Sequence, residues 1–248
     1  MFKRLFPLAA STLLAIALLS FVAAWAPATN GAAQKAQAVP APRLDAALAA
    51  RPRLATAVLA GGCFWGMQWV FEHVPGVINV TSGYSGGAAA TAHYERVSDG
   101  GTGHAETVQI DYDPSKVTFG QLLRVYFTAA TNPTELNRQG PDTGTQYRGV
   151  IFYTNPEQRR IAQAYIAQLT AAHVYAAPIV TQVVPFKAFY RAEDYHQDYA
   201  RLHPDAPYIA YNDAPKVVVL QRLLPNLYRA QPVVWHDPSP RVITVNLK

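Results

Sequence analysis

Between residues 55 and 212, short strand patterns alternate with amphipathic helical ones, and that alternation constrains the fold more than any other feature of the chain. Strand patterns fall at 56–60, 77–84, 105–112, 148–153 and 178–184. Phe119, Leu122, Leu123, Tyr126 and Phe127 follow helical spacing, and Thr118 with Gln121 predicts a capping box ahead of them. Asn155-Pro156 followed by Gln158 predicts another helix start, with Ala162, Tyr165, Ile166 and Leu169 on one face. Such an order calls for helices packed on a mixed sheet, an α/β or α+β sandwich. Beyond 212, residues Pro215 to Arg229 predict one further helix, with Leu220, Leu223 and Leu224 inward, and 230–248 reads as an extended tail.

The first 38 residues have the layout of a secretory signal. Lys3 and Arg4 precede an apolar run from Leu5 to Ala26, and no acidic residue appears before Asp45. Ala36-Gln37-Ala38 offers a small-x-small cleavage site before Val39. Left uncleaved, the apolar run nearly reaches the length of a membrane anchor. The expected location is therefore periplasmic or secreted, with membrane anchoring as the alternative. Residues 39–54, rich in Ala, Pro and Arg, read as a linker to a domain at 55–212, with a C-terminal helix and tail at 213–248. Removing the leader takes away Lys3, Arg4 and Lys35 and no acid, so the net charge falls from +5 to +2. The basicity belongs largely to the leader and gives no footing for a nucleic-acid partner.

Cys63 is the only cysteine of the chain, so it has no internal disulfide partner. It sits in Gly61-Gly62-Cys63-Phe64-Trp65-Gly66, where the run Ala57–Ala60 breaks at two glycines before an amphipathic stretch from Phe64 to His73. The expected order is strand, tight turn, helix, with Cys63 at the first helical turn. Unpaired N–H groups and the positive helix end there favour a thiolate. The competing reading is an inert buried cysteine, since free cysteine is often a small core hydrophobe.

Gly103-His104-Ala105-Glu106-Thr107-Val108-Gln109-Ile110-Asp111-Tyr112 reads as a strand. Alternation puts Glu106 on one face with Val108, Ile110 and Tyr112, and Thr107, Gln109 and Asp111 on the other. A carboxyl on an apolar face is expected to hold a proton near neutral pH. The alternative is a half-exposed Glu paired with Arg96. Tyr94, Asp142 and Tyr147 lie in glycine-punctuated, loop-like contexts, where function concentrates; among fourteen tyrosines, packing is the commoner role. The seven histidines form no paired metal-ligand motif, and His196 is expected on a helix among solvated charges. Spacing alone leaves open a cysteine hydrolase pairing Cys63 with His104 or His196.

Taken together, Gly61-Gly62-Cys63-Phe64-Trp65-Gly66, Pro75-Gly76-Val77, Gly83-Tyr84-Ser85-Gly86-Gly87, Gly103-His104-Ala105-Glu106, Arg138-Gln139-Gly140-Pro141-Asp142, Gly144-Thr145-Gln146-Tyr147-Arg148 and Ala192-Glu193-Asp194-Tyr195-His196-Gln197 resemble the A-type peptide methionine sulfoxide reductases. The stretch from Pro207 through Tyr228 is similar to members without recycling cysteines. The resemblance implies a ferredoxin-like α+β two-layer sandwich and reduction of the S epimer of methionine sulfoxide, free or in proteins. It implies Cys63 as nucleophile, Glu106 as proton donor, Tyr94 and Tyr147 on the sulfoxide oxygen, and Asp142 in the polar network. Phe64 and Trp65 would enclose the methyl group.

No bound cofactor is implied. With no second cysteine, a sulfenic acid on Cys63 has to be reduced by an external thiol: a thioredoxin-like or glutaredoxin-like donor, or a small thiol. Thr131-Asn132-Pro133 stands where many relatives carry His-Asp-Pro, which leaves these positions intact and alters the local loop. Two readings from other classes remain, a cysteine hydrolase or transferase and a binding module that recognises methionine through Phe64, Trp65, Trp69 and Tyr84.

Overall fold

The computed structural model describes residues 38–237 and 242–244; the expected leader, apart from Ala38, lies outside the described residues. Strand β1 (Ala55–Ala60) is buried on both faces from Ala57 onward, as its unbroken apolar run requires. It leads through Gly61 and Gly62 into helix α1 (Phe64–Glu72), followed by β2 (Val77–Ser85) and the short α2 (Tyr94–Ser98). Next come β3 (Ala105–Tyr112) and α3 (Phe119–Val125), which runs on as one wide π-type turn over Tyr126–Ala130. The predicted capping box is present: the Thr118 side chain accepts from the Gln121 N–H, and Gln121 reaches back to Thr118. Two two-residue strands, β4 (Arg138–Gln139) and β5 (Asp142–Thr143), pair with each other ahead of β6 (Val150–Tyr153). Helix α4 (Pro156–Ala171) is capped by Asn155, whose side chain accepts from Gln158 N–H at 2.9 Å. The remaining elements are β7 (Gln182–Pro185), β8 (Ala188–Arg191), α5 (Tyr199–Leu202), α6 (Ala214–Leu223) and β9 (Val242–Thr244).

Seven strands form one sheet in the order β7-β6-β1-β3-β2-β8-β9, antiparallel except for β6 and β7. The inner four, β6-β1-β3-β2, with α1 crossing from β1 to β2 and α3 between β3 and β6, make the expected ferredoxin-like α+β core, and α4 follows β6 on the way to β7. The helices cover the face carrying Leu59, Val80, Val108 and Ile110, and α6 packs on α1. Glu106 lies on that face, paired across the ladder with Tyr84.

Several sequence expectations shift. The strand expected at 178–184 narrows to Gln182–Pro185, with the added short strand Ala188–Arg191 behind it. The helix expected to Arg229 stops at Leu223, because Pro225 forces Leu224 out of helical conformation. The segment read as a linker has no helix or strand before Ala55, yet it is strapped to the domain. Val39 is buried and its carbonyl accepts from Arg124 Nε at 2.9 Å; Tyr165 donates to Pro40 O at 2.7 Å. Asp45 accepts from Gly120 N–H at the start of α3.

The tail is equally engaged. Arg229 and Val233 N–H groups bond to the carbonyls of His73 and Glu72. Trp235 Nε1 donates to Thr81 at 3.3 Å, and His236 and Asn79 exchange two hydrogen bonds. Asn79, Thr81, Gln109 and Asp111 share the sheet's second face, where the first three are buried and Asp111 is partly so.

Candidate active site

Gly62 turns the chain from β1 into α1 with φ +104, a conformation side chains resist; a Cβ there would also sit 2.6 Å from the Gln139 side chain. Gln139 in turn closes the 131–133 loop, accepting from Asn132 N–H at 2.6 Å and donating to its carbonyl at 3.1 Å. The turn delivers Cys63 to the N-cap of α1, where its own side chain makes no capping bond. The cap comes from across the sheet: Phe64 N–H donates to Glu106 Oε2 at 3.0 Å.

A cleft of about 180 Å³ is lined by Cys63, Phe64, Trp65, Tyr94, Glu106, Asp142, Tyr147 and Tyr208. All seven residues picked out from the sequence therefore share one cleft. Tyr94 opens α2, its N–H donating to Glu193 at 3.0 Å, while Glu193 also accepts from Tyr84 OH at 2.8 Å. Asp142 lies on β5, and Tyr147 ends a single 3-10 turn after Gly144. Trp65 is held on three sides. It stacks on Tyr199 with ring centroids 4.0 Å apart, meets Tyr208 edge-on, and donates from Nε1 to His196 Nδ1 at 3.2 Å.

Electrostatics keep the proton on the buried acid and on the phenols around it. Burial pushes Glu106 up to about 8, against the pull of the Phe64 N–H, with Asp142 and Asp213 pushing further. No salt bridge to Arg96 forms, so the half-exposed alternative for Glu106 does not hold; it is 3% exposed. Burial foremost, then nearby charge from Glu106, raises Tyr94 and Tyr147 as well, leaving both hydroxyls as donors. Tyr208 hydrogen-bonds Asp142 and is likewise raised by burial.

The helix start does not leave Cys63 a resting thiolate, contrary to expectation. Burial raises its thiol well above the ordinary value, Glu106 and Asp213 add to this, and the Trp65 backbone N–H and Lys216 only partly oppose it. The first N–H of α1 is already taken by Glu106, so the helix end has less to offer the sulfur. His196 is not on a solvated helix either. It is buried among Phe64, Trp65, Tyr94 and Tyr195, and burial pulls it down to about 4. Accepting the Trp65 indole N–H, it is a neutral ring that positions Trp65, not a base for Cys63. His104 is spent too, accepting from Gly87 N–H with Nδ1 and donating from Nε2 to Ala88 O. Neither histidine that a hydrolase would need is free.

A model of the family described as peptide methionine sulfoxide reductase matches residues 55–225. The chain belongs to the A-type peptide methionine sulfoxide reductases. The peptide methionine sulfoxide reductase MsrA 2 of Mesorhizobium japonicum is 60% identical over 185 residues, 75% of this chain and 95% of that one. The protein of the same name from a Synechocystis species is 50% identical over 175 residues, 71% of this chain and 82% of the relative. Among solved structures, methionine sulfoxide reductase A of Corynebacterium diphtheriae is 34% identical, with TM-score 0.53 over 64% of this chain and 80% of that one. Reduced Mxr1 from Saccharomyces cerevisiae is 30% identical, with TM-score 0.55 over 66% and 92%. The enzyme reduces methionine sulfoxide and serves protein repair. Its family match runs to 225 and so takes in α6, which brings to the site groups that the sequence does not single out. Tyr208, Asp213 and Lys216 lie in the family-like stretch Pro207–Tyr228, but no local motif there marks one residue over another.

Proposed function

We propose that the enzyme reduces the S epimer of methionine sulfoxide, free or in proteins, at Cys63 with Glu106 as proton donor. The observation that carries this is the meeting of the lone thiol with a buried, protonated carboxyl in one aromatic-walled cleft. Phe64 and Trp65 supply apolar surface for the S-methyl group, and the hydroxyls of Tyr94 and Tyr147 donate to the sulfoxide oxygen. Asp142 steadies the polar side through Tyr208.

As Cys63 sulfur attacks the sulfoxide sulfur, Glu106 protonates the oxygen, which is a poor leaving group without a proton. The S–O bond breaks as hydroxide leaves; water or hydroxide then attacks the Cys63 sulfur, the transient S–S bond breaks, methionine departs with the bonding pair, and Cys63 is left as a sulfenic acid. Methionine sulfur gains the two electrons that Cys63 loses, and the proton released by the thiol replaces the one Glu106 gives. One external thiol then condenses with the sulfenic acid, releasing water and leaving a mixed disulfide; a second thiol frees Cys63. A thioredoxin-like or glutaredoxin-like protein, or a small thiol, fits that role, because the chain holds no second cysteine. The positively charged, apolar leader directs this repair activity to the periplasm or the exterior, with cleavage before Val39; N-terminal sequencing of protein from fractionated cells tests that reading.

The deciding assay gives the purified enzyme separate S and R epimers of a methionine sulfoxide substrate with excess dithiothreitol and follows methionine release. S-selective release that is lost in Cys63→Ser is expected. Release from neither epimer, by a folded protein with an accessible thiol, overturns the reading.

A further inference from the structure

The C-terminal third of the domain places a charged pair on the helix that carries the nucleophile. Asp213 closes a π-type turn over Ile209–Asp213, and α6 follows at once, with Lys216 in its first turn. Lys216 Nζ lies 3.0 Å from Asp213 Oδ1. The pair rests on Gly66, three residues beyond Cys63. A Cβ on Gly66 would be 2.0 Å from Asp213 Oδ1 and 3.0 Å from Lys216 Nζ, so a glycine is required there for the pair to reach the backbone of α1. Asp213 is fully buried, its Oδ2 has no hydrogen-bond partner, and the Lys216 side chain is largely covered.

Three acidic groups thus converge on the first turn of one helix: Cys63 at the N-cap, Glu106 on the Phe64 N–H, and Asp213 over Gly66. Asp142 and the phenols of Tyr94, Tyr147 and Tyr208 complete the charged and titratable lining of the cleft. Lys216, paired with Asp213 over Gly66, sets a cation against the same helix turn. We propose that Lys216 is a positioning residue, anchored by Asp213 against Gly66, which makes the Cys63 thiolate accessible, while Asp213 opposes it. The two members of the pair then act on the sulfur with opposite sign, consistent with burial and carboxylates raising Cys63 while Lys216 lowers it. A pair that merely fastens α6 to α1 has no such sign.

The proposal rests on Cys63 as the nucleophile. Its test reads the thiol without any sulfoxide, so its failure is distinguishable from failure of the proposed reaction. The pH dependence of Cys63 alkylation by iodoacetamide is measured in the purified protein, where the single cysteine makes the signal unambiguous. Lys216→Met is expected to move the midpoint up by about 1 pH unit, Lys216→Arg to keep it, and Asp213→Asn to move it down by a similar amount. At neutral pH Lys216→Met should slow single-turnover reduction roughly tenfold with sulfoxide Kd unchanged. Midpoints that stay put, or that move the same way in Lys216→Met and Asp213→Asn, overturn the proposal. Should Lys216→Met fail to fold, Lys216→Gln and Asp213→Asn decide it by the same opposite signs.

Discussion

Replacing Glu106 by Gln separates its chemical role from its structural one. The amide oxygen of Gln can still accept the Phe64 N–H that Glu106 accepts at 3.0 Å, so the start of α1 keeps its cap. What disappears is the proton. With Glu106 titrating at about 8 and Cys63 raised well above the ordinary thiol value, the reactive combination is a thiolate beside a protonated acid, the minority form at every pH. Below about 8 the acid stays protonated and thiolate grows about tenfold per pH unit, so the second-order single-turnover rate climbs. Between the two titrations, growth of thiolate is offset by loss of the acid, and the rate levels. Glu106→Gln should be slower by about 10²–10⁴ at neutral pH and should lose the break near 8, climbing on toward the titration of the thiol.

Stability supplies an independent arm of the same test. An unfolded carboxyl ionises near 4.5 and the native one at about 8, so between them the native state binds a proton that the unfolded state has lost. Stability therefore falls as pH rises through that window, by about 1.4 kcal/mol per pH unit, on the order of 5 kcal/mol in all. Urea unfolding at about pH 5 and about pH 8.5 should show a larger loss in the parent than in Glu106→Gln, the remaining fall in both coming from Glu72, Asp111 and Asp213, which burial also raises. A break near 8 that persists in the variant, or an unchanged single-turnover rate, would refute the assignment of Glu106 as the acid.

Three further outcomes are expected. Tyr208→Phe removes the donor to Asp142 and should lower kcat/KM roughly tenfold, the scale of a hydrogen bond to a charged group, with unfolding midpoints little changed. Gly66→Ala drives a methyl group into the Asp213 carboxylate and should cost about 1–3 kcal/mol in denaturant unfolding; a neutral result would mean that α6 shifts freely over α1. Truncation after Arg229 removes the Trp235 and His236 contacts to Thr81 and Asn79 and should lower stability by about 1–3 kcal/mol while leaving the Cys63 alkylation profile in place.

The strands and helices nearest the cleft are legible in the sequence because each announces itself locally. The run Ala57–Ala60 ends at two glycines, Thr118 and Gln121 sit at capping-box spacing, and Asn155-Pro156 marks a helix start. Glu106 is legible because a charged carboxyl is costly to bury, so one on an apolar strand face points to a retained proton. Asp142 and Tyr147 need the family motifs. The protonation state of Cys63 is not legible, since it depends on Glu106 and Asp213, 43 and 150 positions away in sequence, arriving at the same helix turn. His196 misleads because Glu193, Asp194 and Asp198 around it suggest solvent, whereas Phe64, Trp65 and Tyr94 from distant segments bury it. Burial of Asn79, Thr81 and Gln109 is hidden for the same reason, because the cover comes from residues more than a hundred positions downstream.

Strand β9 pairs with β8 at what would otherwise be an open margin of the sheet. Unpaired N–H and C=O groups on such a margin recruit strands from other molecules. By folding its own end back there, the chain occupies that position with a segment it cannot lose by dilution. Clipping of the C-terminal residues by a protease would leave the cleft untouched and make the repair enzyme prone to self-association, so preparations should be judged by intact mass as well as by turnover.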